Sequence, residues 1–216
     1  MARAGGEADK FGNSYEGAWT IFQMLLVLAG RAQAITVEDV GDLGEGSEFT
    51  LTSLHHGDEA HQVKRKQGSA NGWTPHRLND EGVLQAARKH VEQARQFHFV
   101  SMIPAPRVDD LADYARRSSS VEDFLADWLK ADDLKTEFTY LSGDVYGADQ
   151  VAWQTLRGIW THCQDEDSLR RMIDALAGLL LTGAPAKPAA LSLGDLVIQN
   201  LGVRLTAAVI EERLKE

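Results

Sequence analysis

The stretch EFTLTSLHHGDEAHQVKR, residues 48–65, decides the fold, because its pattern is that of two short β-strands joined by a turn. Residues 48–52 alternate between polar and apolar side chains, as in a strand with one buried face. The turn at residues 56–58 contains glycine, which favours a tight connection. Residues 60–65 form the next strand, so the sequence predicts two strands that pair as neighbours.

The polar face of this strand pair groups residues that suit metal chemistry. Glu48 begins the first strand, and the alternation puts Gln62 and Lys64 on one face of the second strand and His61 on the other. A carboxylate, an amide oxygen and the backbone carbonyl of Val63 are the hard oxygen ligands that Mg²⁺ or Mn²⁺ prefers. A lysine beside them can orient the attacking water and stabilise developing charge. We therefore predict Glu48, Gln62 and Lys64 as catalytic residues, and Glu48, Gln62 and Val63 as metal ligands.

The flanking elements complete a recognisable order. Residues 15–29 predict a helix that is apolar on nearly all sides and hence packed inside a domain. Residues 35–38 predict another strand, and residues 80–95 and 97–103 predict a helix and a buried strand. Helix–strand–strand–strand–helix–strand is the αβββαβ layout of the PD-(D/E)XK, restriction-endonuclease-like superfamily, an α/β fold with a mixed sheet.

The pattern changes after Pro106 to helices alone. We predict them at residues 107–117, 120–130, 148–164 and 166–182, with short ones further on. The sequence thus predicts two domains, a nuclease core over residues 1–105 and an all-helical C-terminal extension over residues 106–216.

Charge and composition limit the function classes. A net charge of −10 over 216 residues argues against a protein that coats nucleic acid, but allows an enzyme that touches DNA through one local patch. Residues 61–66 are the densest basic stretch, and we predict that Arg65 and Lys66 bind nucleic acid there. The single cysteine, Cys163, excludes an intrachain disulfide and is typical of a cytoplasmic protein. No apolar stretch reaches the roughly 20 residues of a membrane span, so no membrane association is expected.

Three segments together resemble a known family. Lys10–Trp19 (KFGNSYEGAW), Glu48–Leu51 and His61–Lys66 look like the N-terminal nuclease domain of bacterial antiviral effectors, in which a double-stranded DNA endonuclease precedes a STAND-type NTPase and a sensor region. They are also similar to the endonuclease domain of CBASS effectors. The resemblance covers roughly residues 5–130. It implies Mg²⁺-dependent cleavage of double-stranded DNA, switched on by oligomerisation.

The chain departs from that pattern in two ways. Glu48 stands where aspartate is the superfamily norm, and its extra methylene displaces the carboxylate in a geometry that tolerates little movement. No P-loop motif occurs, so a regulatory NTPase or sensor region is expected either in a longer chain or in a separate partner.

Alternatives stay open for the roles of individual residues and for the function of the whole chain. Glu16, on the polar strip of the first helix, is either a further catalytic carboxylate or an acid favoured by the helix dipole. Trp73 either stacks on a base or covers the sheet. The rival to the nuclease is a catalytically degenerate fold that serves as a DNA- or protein-interaction module, its site detuned by Glu48.

Overall fold

The computed structural model describes residues 14–37, 46–65, 71–181 and 186–214. The helices are α1 (Tyr15–Leu28), α2 (Pro75–Asp80), α3 (Val83–Glu92), α4 (Pro106–Arg117), α5 (Val121–Asp123), α6 (Asp132–Tyr140), α7 (Asp149–Gly158), α8 (Glu166–Leu180), α9 (Ala186–Gln199) and α10 (Ala207–Arg213). Two of them, α5 and α6, continue as the π-helical turns Phe124–Trp128 and Leu141–Val145. The strands are β1 (Ala32–Val37), β2 (Phe49–Ser53), β3 (Asp58–Lys64), β4 (Gln96–Ser101), β5 (Ile159–Cys163) and β6 (Arg204–Thr206).

The first of two compact units consists of Met1–Arg65 together with Gln164–Glu216. Its strands follow the order β3-β2-β1-β6, and β1 pairs antiparallel with β2 and β6, as β2 does with β3. Helix α1 packs on β1 and β3 and against α8. The Tyr15 hydroxyl donates to the Gln164 carbonyl at 2.8 Å, which ties the start of α1 to the residues that precede α8.

Helix α1 is buried as its apolar pattern predicts. Met24, Leu25 and Val27 are completely buried, and each such side chain contributes about 1.5–3 kcal/mol relative to an exposed one. The polar strip of the helix is mostly buried as well, since Thr20 is 1% exposed and Gln23 is 5% exposed. The Thr20 hydroxyl donates to the Glu16 carbonyl, which satisfies it inside the helix.

The second compact unit, Lys66–Cys163, contains a parallel pair of strands. Phe97 of β4 lies opposite Ile159 of β5, and both side chains are buried. Trp73 is 1% exposed, donates its indole N–H to the Ser101 hydroxyl at 2.7 Å and meets the Phe99 ring edge-on. Of the two interpretations of Trp73, the structure therefore supports the one in which its side chain covers a strand.

The all-helical C-terminal region predicted from the sequence is wrong, because β5 and β6 are strands. The helix expected over residues 148–164 ends at Gly158, and IWTHC (159–163) pairs with β4. Its β-branched and aromatic residues favour a strand. Gly158 also allows α7 to approach α3 closely, since a Cβ there would lie 2.3 Å from Val91 Cγ2. The helix predicted over residues 80–95 is split at Gly82, which has a φ of +73°.

The α/β class with mixed strand pairing is confirmed, since antiparallel pairs occur in the first unit and a parallel pair in the second. The compact units do not divide at residue 105, and the assignment of separate functions to residues 1–105 and 106–216 stays a prediction. Within the described ranges, no helix has both the length and the apolarity that crossing a membrane requires.

Candidate active site

The register of β2 and β3 brings the predicted site residues together within the first unit. Phe49 lies opposite His61 and Thr50 opposite Ala60, and Glu48 lies in the bend one residue before β2. The Glu48 N–H donates to the His61 carbonyl at 2.8 Å, one residue out of the register of the ladder. Glu48 therefore lies beside the end of β3, next to the residues that flank Gln62.

Glu48 is held in place and is mostly buried. Its Oε2 accepts a hydrogen bond from the Val63 N–H at 2.7 Å. Burial, the largest cause, together with the charge of Glu16 raises the pKa of the Glu48 carboxyl from 4.5 to about 7, and the Val63 hydrogen bond and Lys64 oppose the rise. A carboxyl that titrates near neutrality is typical of functional sites.

Gln62 carries a buried side-chain oxygen without a partner. The residue is 6% exposed, and its Oε1 accepts no hydrogen bond. Leaving a buried amide oxygen without a partner costs about 1–3 kcal/mol, so such an atom is evidence that a ligand binds there.

Lys64 and Glu16 surround Glu48 with opposite charges. Lys64, two residues after Gln62, is half-buried, and its charge acts on Glu48. Glu16 lies exposed in the first turn of α1, where the Ser14 hydroxyl caps the helix by accepting from the Gly17 N–H at 2.9 Å. The negative charge of Glu16 contributes to the raised pKa of Glu48, so the two carboxylates lie within electrostatic range of each other.

The donor set fits a hard divalent cation. Glu48 offers a carboxylate at the Val63 N–H and Gln62, the residue before Val63, an unpartnered amide oxygen, with Glu16 as a further carboxylate within electrostatic range. Mg²⁺ and Mn²⁺ prefer oxygen ligands of this kind. The unsatisfied Oε1 is the observation that separates this arrangement from an ordinary polar strand face. The Val63 carbonyl as a third ligand stays a prediction; the Val63 side chain is fully buried and its N–H is bonded to Glu48.

The opposite face of β3 is anchored by His61, as the alternation predicts. The His61 ring is buried, stacks on Phe49 with centroids 4.6 Å apart and accepts at Nδ1 from the Trp19 indole N–H at 3.3 Å. Because Trp19 can only donate, the ring proton sits on Nε2, which lies 3.4 Å from Glu59 Oε2. This anchor holds the register of β3 and so keeps Gln62 on the site face.

The structure describes one of the two predicted nucleic-acid-binding residues, Arg65. Arg65 is exposed and forms an ion pair with Glu166 at the start of α8, with Nη2 and Oε2 3.2 Å apart. Glu166 also binds Arg170 at 2.8 Å. Lys66 lies outside the described residues. A role for either residue in binding DNA stays a prediction.

Comparisons with known proteins find similar folds but no similar sequence. No family model and no curated protein matches the chain. The chain is similar to a Cap4 SAVED/CARF-domain containing receptor of Acinetobacter baumannii, solved with the cyclic trinucleotide 3'3'3'-cAAA, with a TM-score of 0.56 and 10% identity over 99% of this chain and 45% of that one. The same receptor with 2'3'3'-cAAA gives a TM-score of 0.54 and 12% identity, again over 99% and 45%.

The Moraxella osloensis Cap4 receptor is similar too, with a TM-score of 0.53 and 10% identity over 94% of this chain and 46% of that one. The chain therefore spans less than half the length of each of these receptors. At this level of identity the likeness establishes a shared fold.

Proposed function

We propose that the chain is a divalent-metal-dependent endodeoxyribonuclease that hydrolyses phosphodiester bonds as the effector part of a bacterial antiviral defence protein. One observation carries the proposal: the buried Glu48 carboxyl, with a pKa of about 7, accepts a hydrogen bond from the N–H of Val63, which stands between Gln62 with its unpartnered Oε1 and Lys64. A polar strand face without a ligand gives no reason to bury these two oxygens.

Each residue has a part in that reaction. Glu48 and Gln62 would hold Mg²⁺ or Mn²⁺, with the Val63 carbonyl as a further ligand. The bound cation supplies charge neutralisation at the phosphate and a water of lowered pKa. Lys64 orients the attacking water through its ammonium group and stabilises developing negative charge. Glu16 contributes a second carboxylate toward the cation or its waters.

The element order supports a restriction-endonuclease-like core as the setting of this site. From α1 through β1, β2 and β3 to α2, α3 and β4, the chain follows the predicted αβββαβ sequence, with two short helices in place of one. The site lies where β2 begins and β3 ends, at one end of the antiparallel pair.

The proposal also covers the defence system in which the nuclease would act, its substrate and its activation. Two of the similar solved structures are of a Cap4 receptor with a cyclic trinucleotide, which fits a role in a defence system that responds to such signals. We infer double-stranded DNA as the substrate, a cytoplasmic setting and oligomerisation on activation. A sensor or NTPase region, in a longer chain or a separate partner, would provide the trigger.

A second candidate is a receptor module for a cyclic oligonucleotide, favoured by the ligands of those Cap4 structures. The paired carboxylates Glu16 and Glu48 weigh against placing phosphates at this site without a cation. Titration calorimetry of the chain with 3'3'3'-cAAA discriminates the two, since a nuclease domain alone needs no affinity for it.

The test is cleavage of supercoiled plasmid by the purified chain, at low and high protein concentration, with Mg²⁺ or Mn²⁺. We expect nicking or linearisation that disappears with EDTA and in Lys64→Ala. Lys130→Ala, which removes an exposed lysine of the second unit, is the matched control and should cut normally.

Cleavage that survives in Lys64→Ala would refute the site assignment. If neither form cuts, and the chain binds no Mn²⁺ either, the fold is a degenerate interaction module and the proposal is wrong.

A further inference from the structure

Thr50 lies on the same face of the sheet as the candidate ligand Gln62. Its side chain lies on the face of its partner Ala60, and Gln62, two residues further along β3, points the same way. Thr50 pairs directly with Ala60 of β3, and Gln62 is the diagonal neighbour on that strand. Diagonal neighbours in an antiparallel pair lie about 7–8 Å apart, within reach of a shared water molecule or cation shell.

The Thr50 hydroxyl is buried without a partner. Thr50 is 6% exposed, and its Oγ1 has no hydrogen bond, as is also true of Gln62 Oε1. Threonine hydroxyls normally find a backbone carbonyl when no other partner is near, as Thr20 does in α1. Two unpartnered polar atoms on one face of adjacent strands indicate that a polar ligand lies between them.

Ala60 lies opposite Thr50 and is fully buried. Its methyl group carries no polar atom, so it offers the Thr50 hydroxyl no hydrogen bond.

We propose that Thr50 is a positioning residue of the cation site, whose hydroxyl accepts a hydrogen bond from a water molecule of the cation's hydration shell. The inference rests on the proposed metal-dependent function. Mg²⁺ and similar cations keep several waters when a protein binds them, and those waters need acceptors. Outer-shell partners of this kind commonly change metal affinity by 10- to 100-fold when they are removed.

Two substitutions separate this role from a structural one. Thr50→Val keeps the shape and removes the hydroxyl, and Thr50→Ser keeps the hydroxyl and removes the methyl group. We expect Thr50→Val to weaken Mn²⁺ binding about tenfold or more, while its thermal unfolding temperature without metal stays the same or rises. Thr50→Ser should unfold at a lower temperature and bind Mn²⁺ as the wild type does. A merely structural residue would lose affinity in step with stability.

The measurement is isothermal titration of each full-length variant with Mn²⁺ alone, paired with thermal unfolding in EDTA. Glu48→Gln serves as the variant that should lose binding. If Thr50→Val binds Mn²⁺ as tightly as the wild type while Glu48→Gln does not bind, the role of Thr50 is refuted and the metal site stands. If the wild type binds no Mn²⁺, the metal site and the role of Thr50 both fall.

Discussion

Raising the pH from 6 to 8 should tighten divalent-cation binding about tenfold, because the cation binds the ionised Glu48 carboxylate and burial raises the pKa of this group to about 7. A proton and the cation compete for the same carboxylate oxygens. Affinity therefore follows the ionised fraction of Glu48 across this pH range.

The magnitude follows from the shifted pKa. A group with a pKa of about 7 is about 9% ionised at pH 6 and about 91% ionised at pH 8, a ratio of about ten. With the ordinary glutamate value of 4.5, the group would be more than about 95% ionised at both pH values, and affinity would hardly change.

The assay is calorimetric titration with Mn²⁺ at pH 6, 7 and 8, in buffers with different enthalpies of protonation. The buffer dependence counts protons released per cation, which we expect to approach one at pH 6 and to fall to about 0.1 at pH 8. Two variants give opposite controls, since Glu16 raises the pKa of Glu48 and Lys64 lowers it. Glu16→Gln should move the midpoint to lower pH, and Lys64→Ala should move it to higher pH.

Wild-type protein that binds Mn²⁺ with the same affinity at pH 6 and pH 8, without proton release, would refute the reasoning. The cation would then bind elsewhere, or Glu48 would be ionised throughout this range.

Three further outcomes can be checked on the metal-free chain by chemical denaturation. Folding raises the pKa of Glu48 from 4.5 to about 7, so its contribution to the free energy of unfolding is present below pH 4.5 and is lost as the pH rises through 7, by up to about 3 kcal/mol. Glu48→Gln should abolish that loss, and equal pH dependence in both proteins would contradict this account. Gly158→Ala should lower the free energy of unfolding by about 1–3 kcal/mol, because its Cβ would lie 2.3 Å from Val91 Cγ2. Adding Val91→Ala should make the combined loss smaller than the sum, and Gly143→Ala, with no atom within 4 Å of the added Cβ, is the control that should show no such loss. Arg65→Ala should cost less than about 1 kcal/mol, since its ion pair with α8 is exposed, and a larger loss would mean that this pair fastens the helix.

Short-range patterns predicted the strand pair well, because strict alternation and a glycine turn are local properties. Residues 49–52 pair with residues 58–61, and the Glu48 N–H bonds to the His61 carbonyl at the end of this pairing. The anchor that holds this register, His61 between Trp19 and Phe49, depends on a helix 42 residues away and has no local signal.

The strands β5 and β6 were missed for different reasons. Residues 159–163 continue an amphipathic helix without proline, and only Gly158 followed by β-branched and aromatic residues marks the change. Strand β6 has three residues, too few for any periodicity, and exists because Ile35 of β1 offers Leu205 a buried partner.

The charge state of the candidate site likewise could not be predicted from local sequence patterns. The alternation places Glu48, Thr50 and Gln62 on one face, but burial of that face depends on how distant elements pack around it. The sequence therefore pointed to the residue types, whereas the pKa of Glu48 and the unpartnered oxygens of Thr50 and Gln62 appear only in the structure.

The first unit is assembled from both ends of its sequence, and this has a consequence for synthesis on the ribosome. The strands that carry Glu48 and Gln62 emerge early, but α8 and β6, which pack on α1 and pair with β1, are translated only after the whole of Lys66–Cys163. At about 5–20 residues per second that interval lasts about 5–20 s. A nascent chain therefore carries Glu48 and Gln62 well before α8 and β6 complete the first unit, and a product that stalls before residue 164 would lack both elements.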